Sequence, residues 1–142
     1  MLSVFGRFPP TVNLVLIACL LMQAPLAHSV WLEDWRAARA FFYHSAFFAV
    51  IAIMVGLALS ARQFRASPTS MILRLLLAYA LLPAIMAAPV NYLVPSITYG
   101  QAYFEMMSSL TTTGATLLPD PTTVPDAIHL WRAICGWAGG LL

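Results

Sequence analysis

"SSLTTTGATLLPD", residues 108–120, is a polar interruption in a chain that is otherwise rich in apolar residues. Three threonines stand in a row at Thr111, Thr112 and Thr113, followed by Gly114 and, two residues on, Thr116. Threonines in extended conformation direct their carbonyls to one side and their hydroxyls elsewhere. Gly114 can take a positive φ, which lets successive carbonyls point the same way. A row of backbone carbonyls can replace the hydration shell of a bare cation. The plain alternative is a polar loop joining two helices.

The flanks favour the first reading. Residues 102–110 form a short, mildly amphipathic stretch of helical character, too short to cross a bilayer, which takes about 20 residues. After the threonines, "LLPDPTTVPD" brings three prolines and two aspartates, the composition of a surface loop. An apolar run then occupies 127–142. Irregular backbone at membrane depth is tolerated only where it is buried in protein or lines a watery path. The order therefore predicts a re-entrant pore helix at 102–110 and a filter loop at 111–116. Thr112 and Thr113 are the foremost candidates for carbonyl ligands of a cation, with Thr111 and Gly114 next. The negative end of the short helix adds to the attraction. Asp120 and Asp126, at the outer mouth, would raise the local cation concentration.

Composition sets the class. The 142 residues are 61% hydrophobic and only 8% charged, with a mean hydropathy of +0.84. Soluble domains carry about 25% charged residues, so this is an integral membrane protein, all-α by the length of its apolar runs. All seven basic residues are arginine, and the net charge of +2 is too small to argue for nucleic acid. Cys19 and Cys135 lie far apart in apolar runs and read as small buried hydrophobes, and no metal-ligand spacing is present. The spans hold no His–Glu cluster, no Ser/Lys or Asp/Asp pair and no phosphate-cradling loop, so the chain does not read as an enzyme.

Three further apolar runs precede the loop. The first covers about 11–30, with a rival reading as a signal peptide in which Pro25 fits the cleavage pattern poorly. The second covers about 41–60, opened by an interfacial belt of Phe41, Phe42 and Tyr43. The third covers 71–94, with Pro83 and Pro89 as expected kinks and Arg74 near enough to its end to snorkel. Between the first two lies a polar break at 31–40, with two arginines and two acids. The break at 61–74 carries Arg62, Arg65 and Arg74 and no acids. That bias, together with Arg7, predicts a cytoplasmic N-terminus.

Two charges flank the loop. Glu105 lies in the short helix at membrane depth, where an ionisable group invites a functional reading. It reads better as a buried partner for donors around the loop than as a direct ion contact. Arg132 reads as an interfacial anchor, or as half of an ion pair with Glu105 or Asp126. His28, His44 and His129 read as interface or packing residues, and Asn91 can hydrogen-bond between helices.

"YFEMMSSLTTTGATLLPD", followed by "LWRAICGWAGGLL", resembles the first pore repeat of the Trk/Ktr/HKT superfamily of potassium transporters, in particular its TrkH type. That family commonly reads "FFEAMSGLTTTGAT", a proline-rich outer loop, then "LLWRSLLQWLGG". The matching positions are Phe104 and Glu105, Met107 and Ser108, Leu110 through Thr116, Leu130, Trp131 and Arg132, and Trp137 with Gly139 and Gly140. Ser109 departs from the family, which often has glycine there. The resemblance implies K+ as the transported ion, with no organic cofactor. It also implies a filter built from four pseudo-equivalent loops, a homodimer in the bacterial inner membrane, and a cytoplasmic nucleotide-binding regulatory partner of the TrkA type. It divides the chain into two leading helices at 1–68 and a helix–pore loop–helix repeat at 69–142. Only one such repeat is present, and the chain stops inside an apolar run, so the expectation is the N-terminal portion of a four-repeat transporter. The competing expectation is a small accessory or structural membrane protein, or a non-functional remnant, without transport of its own.

Overall fold

A computed structural model describes residues 8–60, 67–118 and 121–141. Arg7, Arg62, Arg65 and Asp120, which carry the orientation and part of the outer-mouth expectations, lie outside the described residues. The protein is an all-α, multi-pass membrane protein. Six α-helices and one short 3-10 turn lie among the described residues, with no strand.

Helices α1 (Pro10–Leu21) and α2 (Gln23–Trp31) together form one apolar span of 22 residues. They meet at Met22, just ahead of Pro25, which has no N–H to offer and whose ring crowds the carbonyl four residues back. Gln23 repairs the joint: its Nε2 donates to Cys19 O and to Ser45 Oγ, both at 3.1 Å, tying the joint to the next helix.

The turn into α3 (Trp35–Leu59) is closed by backbone bonds. Glu33 takes a φ of 57°, and the Asp34 N–H reaches back to Ser29 O at 2.9 Å. The Asp34 carboxylate then caps the new helix by accepting from Ala37 N–H at 3.0 Å. This cap starts α3 at Trp35 rather than near residue 41, and it draws Arg36 and Arg39 into the first turns. The polar break between the first two spans shrinks accordingly.

Helix α4 (Pro68–Leu93) opens on a Ser67/Ser70 capping box with Pro68 in its first turn, and it contains Pro83 and Pro89. The spans of 22, 25 and 26 residues are each long enough, at about 1.5 Å per residue, for a hydrocarbon core of about 30 Å. Large apolar side chains such as Phe47, Met54, Leu73 and Leu76 are exposed on α3 and α4. In a bilayer that exposure carries no penalty, because lipid tails are as apolar as leucine.

Helix α5 (Tyr99–Leu110) folds back along α4. Thr98 and Gln101 form its capping box, which starts it at Tyr99 rather than at residue 102. Tyr99 Oη donates to Ala84 O at 2.5 Å, and Tyr103 Oη, one turn later, donates to Ala80 O at 3.3 Å, one turn earlier on α4. That register is antiparallel. With 12 residues, α5 is about 18 Å long, roughly half of a bilayer crossing. After the loop and a 3-10 turn (Pro121–Thr123), α6 (Asp126–Gly139) runs parallel to α5.

The core gathers where these elements cross. Trp131 of α6 is fully buried, donates its indole N–H to Met86 O at 3.2 Å, and packs edge-on against Phe41 with centroids 6.0 Å apart. A buried Trp needs such a partner for its N–H. One residue thereby joins α3, α4 and α6. Met22, Ala87, Val90, Met106, Ile128 and Cys135 complete this core with no solvent exposure.

Candidate functional site

The loop leaves α5 through a tight backbone cap. Thr112 N–H donates to Ser109 O at 3.0 Å and Thr113 N–H donates to Ser108 O at 2.9 Å, the bond pair of a Schellman motif. Such a motif needs a left-handed residue, usually glycine. Here that residue is Thr112, with φ 56°. A β-branched residue in this region is a genuine outlier, costing about 1–2 kcal/mol. Gly114 is the second left-handed position, with φ 76° and open space where a Cβ would stand. Thr111 is braced from within: its hydroxyl bonds Met107 O and the Thr113 hydroxyl, both at 2.9 Å.

Residues 111–117 are all exposed. Among the described residues, no hydrogen bond ends on the carbonyl oxygens of Thr111, Thr112, Thr113 or Gly114. Neighbouring carbonyls are engaged instead: Ser108 O and Ser109 O of α5 accept loop N–H groups, and Ala115 O of the loop accepts from Ser108 Oγ at 2.7 Å.

Behind the loop sits the carboxylate of Glu105, with no solvent exposure. Its Oε2 lies 3.1 Å from Arg132 Nη2 of α6. Both oxygens accept from the Thr116 hydroxyl, at 3.0 and 3.2 Å, and Oε1 also accepts the Leu117 N–H. A buried carboxylate is tolerable only when paired and hydrogen-bonded in this way. Glu105 is thus spent on protein donors, and Arg132 bonds it rather than Asp126.

Helix α6 comes close enough for that pairing because it carries glycine where it passes the end of α5. A Cβ on Gly139 would overlap the carbonyl oxygen of Leu110 and lie 2.9 Å from its Cα. A cleft of about 470 Å³ opens beside the loop, lined by Ser109, Thr112, Gly114, Arg132, Gly136 and Trp137. Asp126 lies elsewhere: it lines a separate cleft with His28, Asp34 and Thr123 at the turn between α2 and α3. Ser108, which the sequence marks only as a matching motif position, bonds Thr113, Gly114 and Ala115 of the loop. Its spacing of three from Glu105, which puts both on one helix face, was the available signal.

Comparison with known proteins points the same way as the motif. The chain is 37% identical over 65 residues to an uncharacterized cation transporter of Methanocaldococcus jannaschii, covering 46% of this chain and 14% of that protein. It is 36% identical over 63 residues to the Trk system potassium uptake protein TrkI of Halomonas elongata, covering 44% and 12%. It is 45% identical over 47 residues to the Trk system potassium uptake protein TrkH of Escherichia coli K12, covering 33% and 10%. The matched segment thus spans 10–14% of the length of these relatives. No protein-family model and no solved structure matches the chain. The likeness to TrkH-type potassium uptake proteins rests on the curated relatives and on the residues quoted above.

Proposed function

We propose that this chain supplies one of four pore repeats of a potassium transporter. In this reading α4, α5, the 111–116 loop and α6 are the helix, re-entrant pore helix, filter and second helix of the first repeat, and the span before α3 and α3 itself are the two leading helices. The carbonyls of Thr112 and Thr113, with those of Thr111 and Gly114, would bind dehydrated K+. Glu105 and Arg132 hold the limb leaving the filter and do not touch the ion. Asp120 and Asp126 would bias cations toward the outer side. The arginine bias of the sequence adds a cytoplasmic N-terminus. Family resemblance adds uptake across a bacterial inner membrane, a homodimer and a TrkA-type nucleotide-binding partner.

The observation that carries the reading is the loop's bonding pattern. Four consecutive carbonyls accept no hydrogen bond among the described residues, and the next one, Ala115 O, is held by the Ser108 hydroxyl. These residues are exposed in the single chain; in a pore closed by further repeats at membrane depth their carbonyls would need a partner, and a desolvated cation suits four in a row.

The test is complementation of a bacterial strain lacking K+ uptake, using the longest reading frame that contains this chain. Growth at limiting K+ is expected. Failure to grow, with the protein present in the membrane, would overturn the proposal.

A further inference from the structure

The limb that rises after Gly114 is fastened by two side chains on one face of α5, three residues apart. Glu105 takes Thr116 and Leu117. Ser108, only 4% exposed, takes the residues between. Its carbonyl accepts from the N–H groups of Thr113 at 2.9 Å and Gly114 at 3.3 Å, and its hydroxyl donates to Ala115 O at 2.7 Å. One residue therefore grips the loop on both sides of its glycine.

The hydroxyl bond is a choice the local chain does not force. A helical serine ordinarily bonds the carbonyl four residues back, and the adjacent Ser109 does so, donating to Glu105 O at 2.9 Å. Ser108 instead reaches forward seven residues to Ala115. That bond commits the Ala115 carbonyl to α5, whereas the carbonyls of Thr111 to Gly114 accept no hydrogen bond among the described residues.

We propose that Ser108 is a positioning residue that ends the ion-binding row at Gly114 by capturing the next carbonyl. This deepens the potassium-filter reading and rests on it. The number and field of the coordinating carbonyls bear on discrimination between K+ and Na+. A residue that removes one carbonyl from the row sets that number for this repeat. Loss of the hydroxyl would free Ala115 O to join the row.

The test uses the longest reading frame containing this chain, reconstituted in lipid bilayers with carbon-13 carbonyl labels at Thr113, Gly114 and Ala115. Solid-state NMR spectra are compared in K+ and in Na+. In the wild type, Thr113 and Gly114 should respond to the exchange of ions and Ala115 should not. In Ser108→Ala, Ala115 should respond as well, and Ser108→Thr, which keeps the hydroxyl, should restore the wild-type pattern. Uptake should show K+ over Na+ preference falling in Ser108→Ala and recovering in Ser108→Thr. A merely structural role would lower the amount of active protein and leave that ratio unmoved, which would overturn the assignment. So would an Ala115 carbonyl that responds to K+ in the wild type, an outcome that needs no variant to fold. If no labelled carbonyl responds in any sample, the potassium-filter reading itself falls.

Discussion

The guanidinium of Arg132 lies 3.1 Å from the carboxylate of Glu105, and that same carboxylate holds Thr116 and Leu117. One buried anion thereby couples α6 to the chain segment leaving the threonine loop. Removing either partner strands the other. Glu105→Ala should cost about 3–5 kcal/mol, because it leaves Arg132 uncompensated and two loop donors unpaired. Arg132→Gln should cost less, since Arg132 keeps 20% of its side chain exposed and the loop donors retain their acceptor. Thermal unfolding of the purified protein in detergent checks the ranking. Equal losses would contradict the central place given to the carboxylate.

The contact between Gly139 and Leu110 predicts a steep positional contrast. A methyl group at 139 would overlap a backbone oxygen, whereas at Gly136 the nearest atom is 3.5 Å away. Neither the backbone of α5 nor that of α6 can yield as a side chain would. Gly139→Ala should therefore destabilise by about 1–3 kcal/mol, the range for overpacking, and Gly136→Ala by much less. Both are read by the same unfolding measurement.

Thr112 predicts a gain. Its φ of 56° is a conformation glycine adopts freely. Thr112→Gly should raise stability by about 1 kcal/mol. Thr111, at φ −84°, should show no such gain on the same change. Strain at a non-glycine residue persists where the surroundings hold it and tends to mark functional segments. The stabilised Thr112→Gly protein is accordingly expected to lose transport activity, measured as K+ uptake per molecule in the membrane.

The class of the molecule was legible in composition alone, because so few charges cannot cover a water-facing surface. Other features were not legible, for specific reasons. The start of α3 depends on the Asp34 cap, which in a run containing Glu33, Asp34, Arg36 and Arg39 looks like a polar break. The partner of Arg132 depends on how α6 lies along α5, a packing decided by Gly139 and Trp131 rather than by either charge. Thr112 carries no glycine to announce its left-handed turn. Ser108 matches the family motif without a role attached to it, and its forward bond to Ala115 exists only once the loop has folded back. The chemistry of each residue could be read singly, while the pairings came from tertiary structure.

Discrimination of K+ by the carbonyls around Gly114 is the point on which the proposed function stands or falls. Gly114 has φ 76°, and a Cβ added there would meet no neighbour within 4 Å, so a side chain strains the backbone without filling space. Gly114→Ser should leave folding stability within about 1–2 kcal/mol of wild type while distorting the row of carbonyls. The decisive measurement is competitive uptake of Rb+ or K+ against Na+ by the longest reading frame carrying this chain, wild type against Gly114→Ser, in cells lacking other K+ uptake. A clear fall in K+ over Na+ preference is expected, with the protein still present in the membrane. A Gly114→Ser protein with wild-type discrimination would contradict the filter role of this loop.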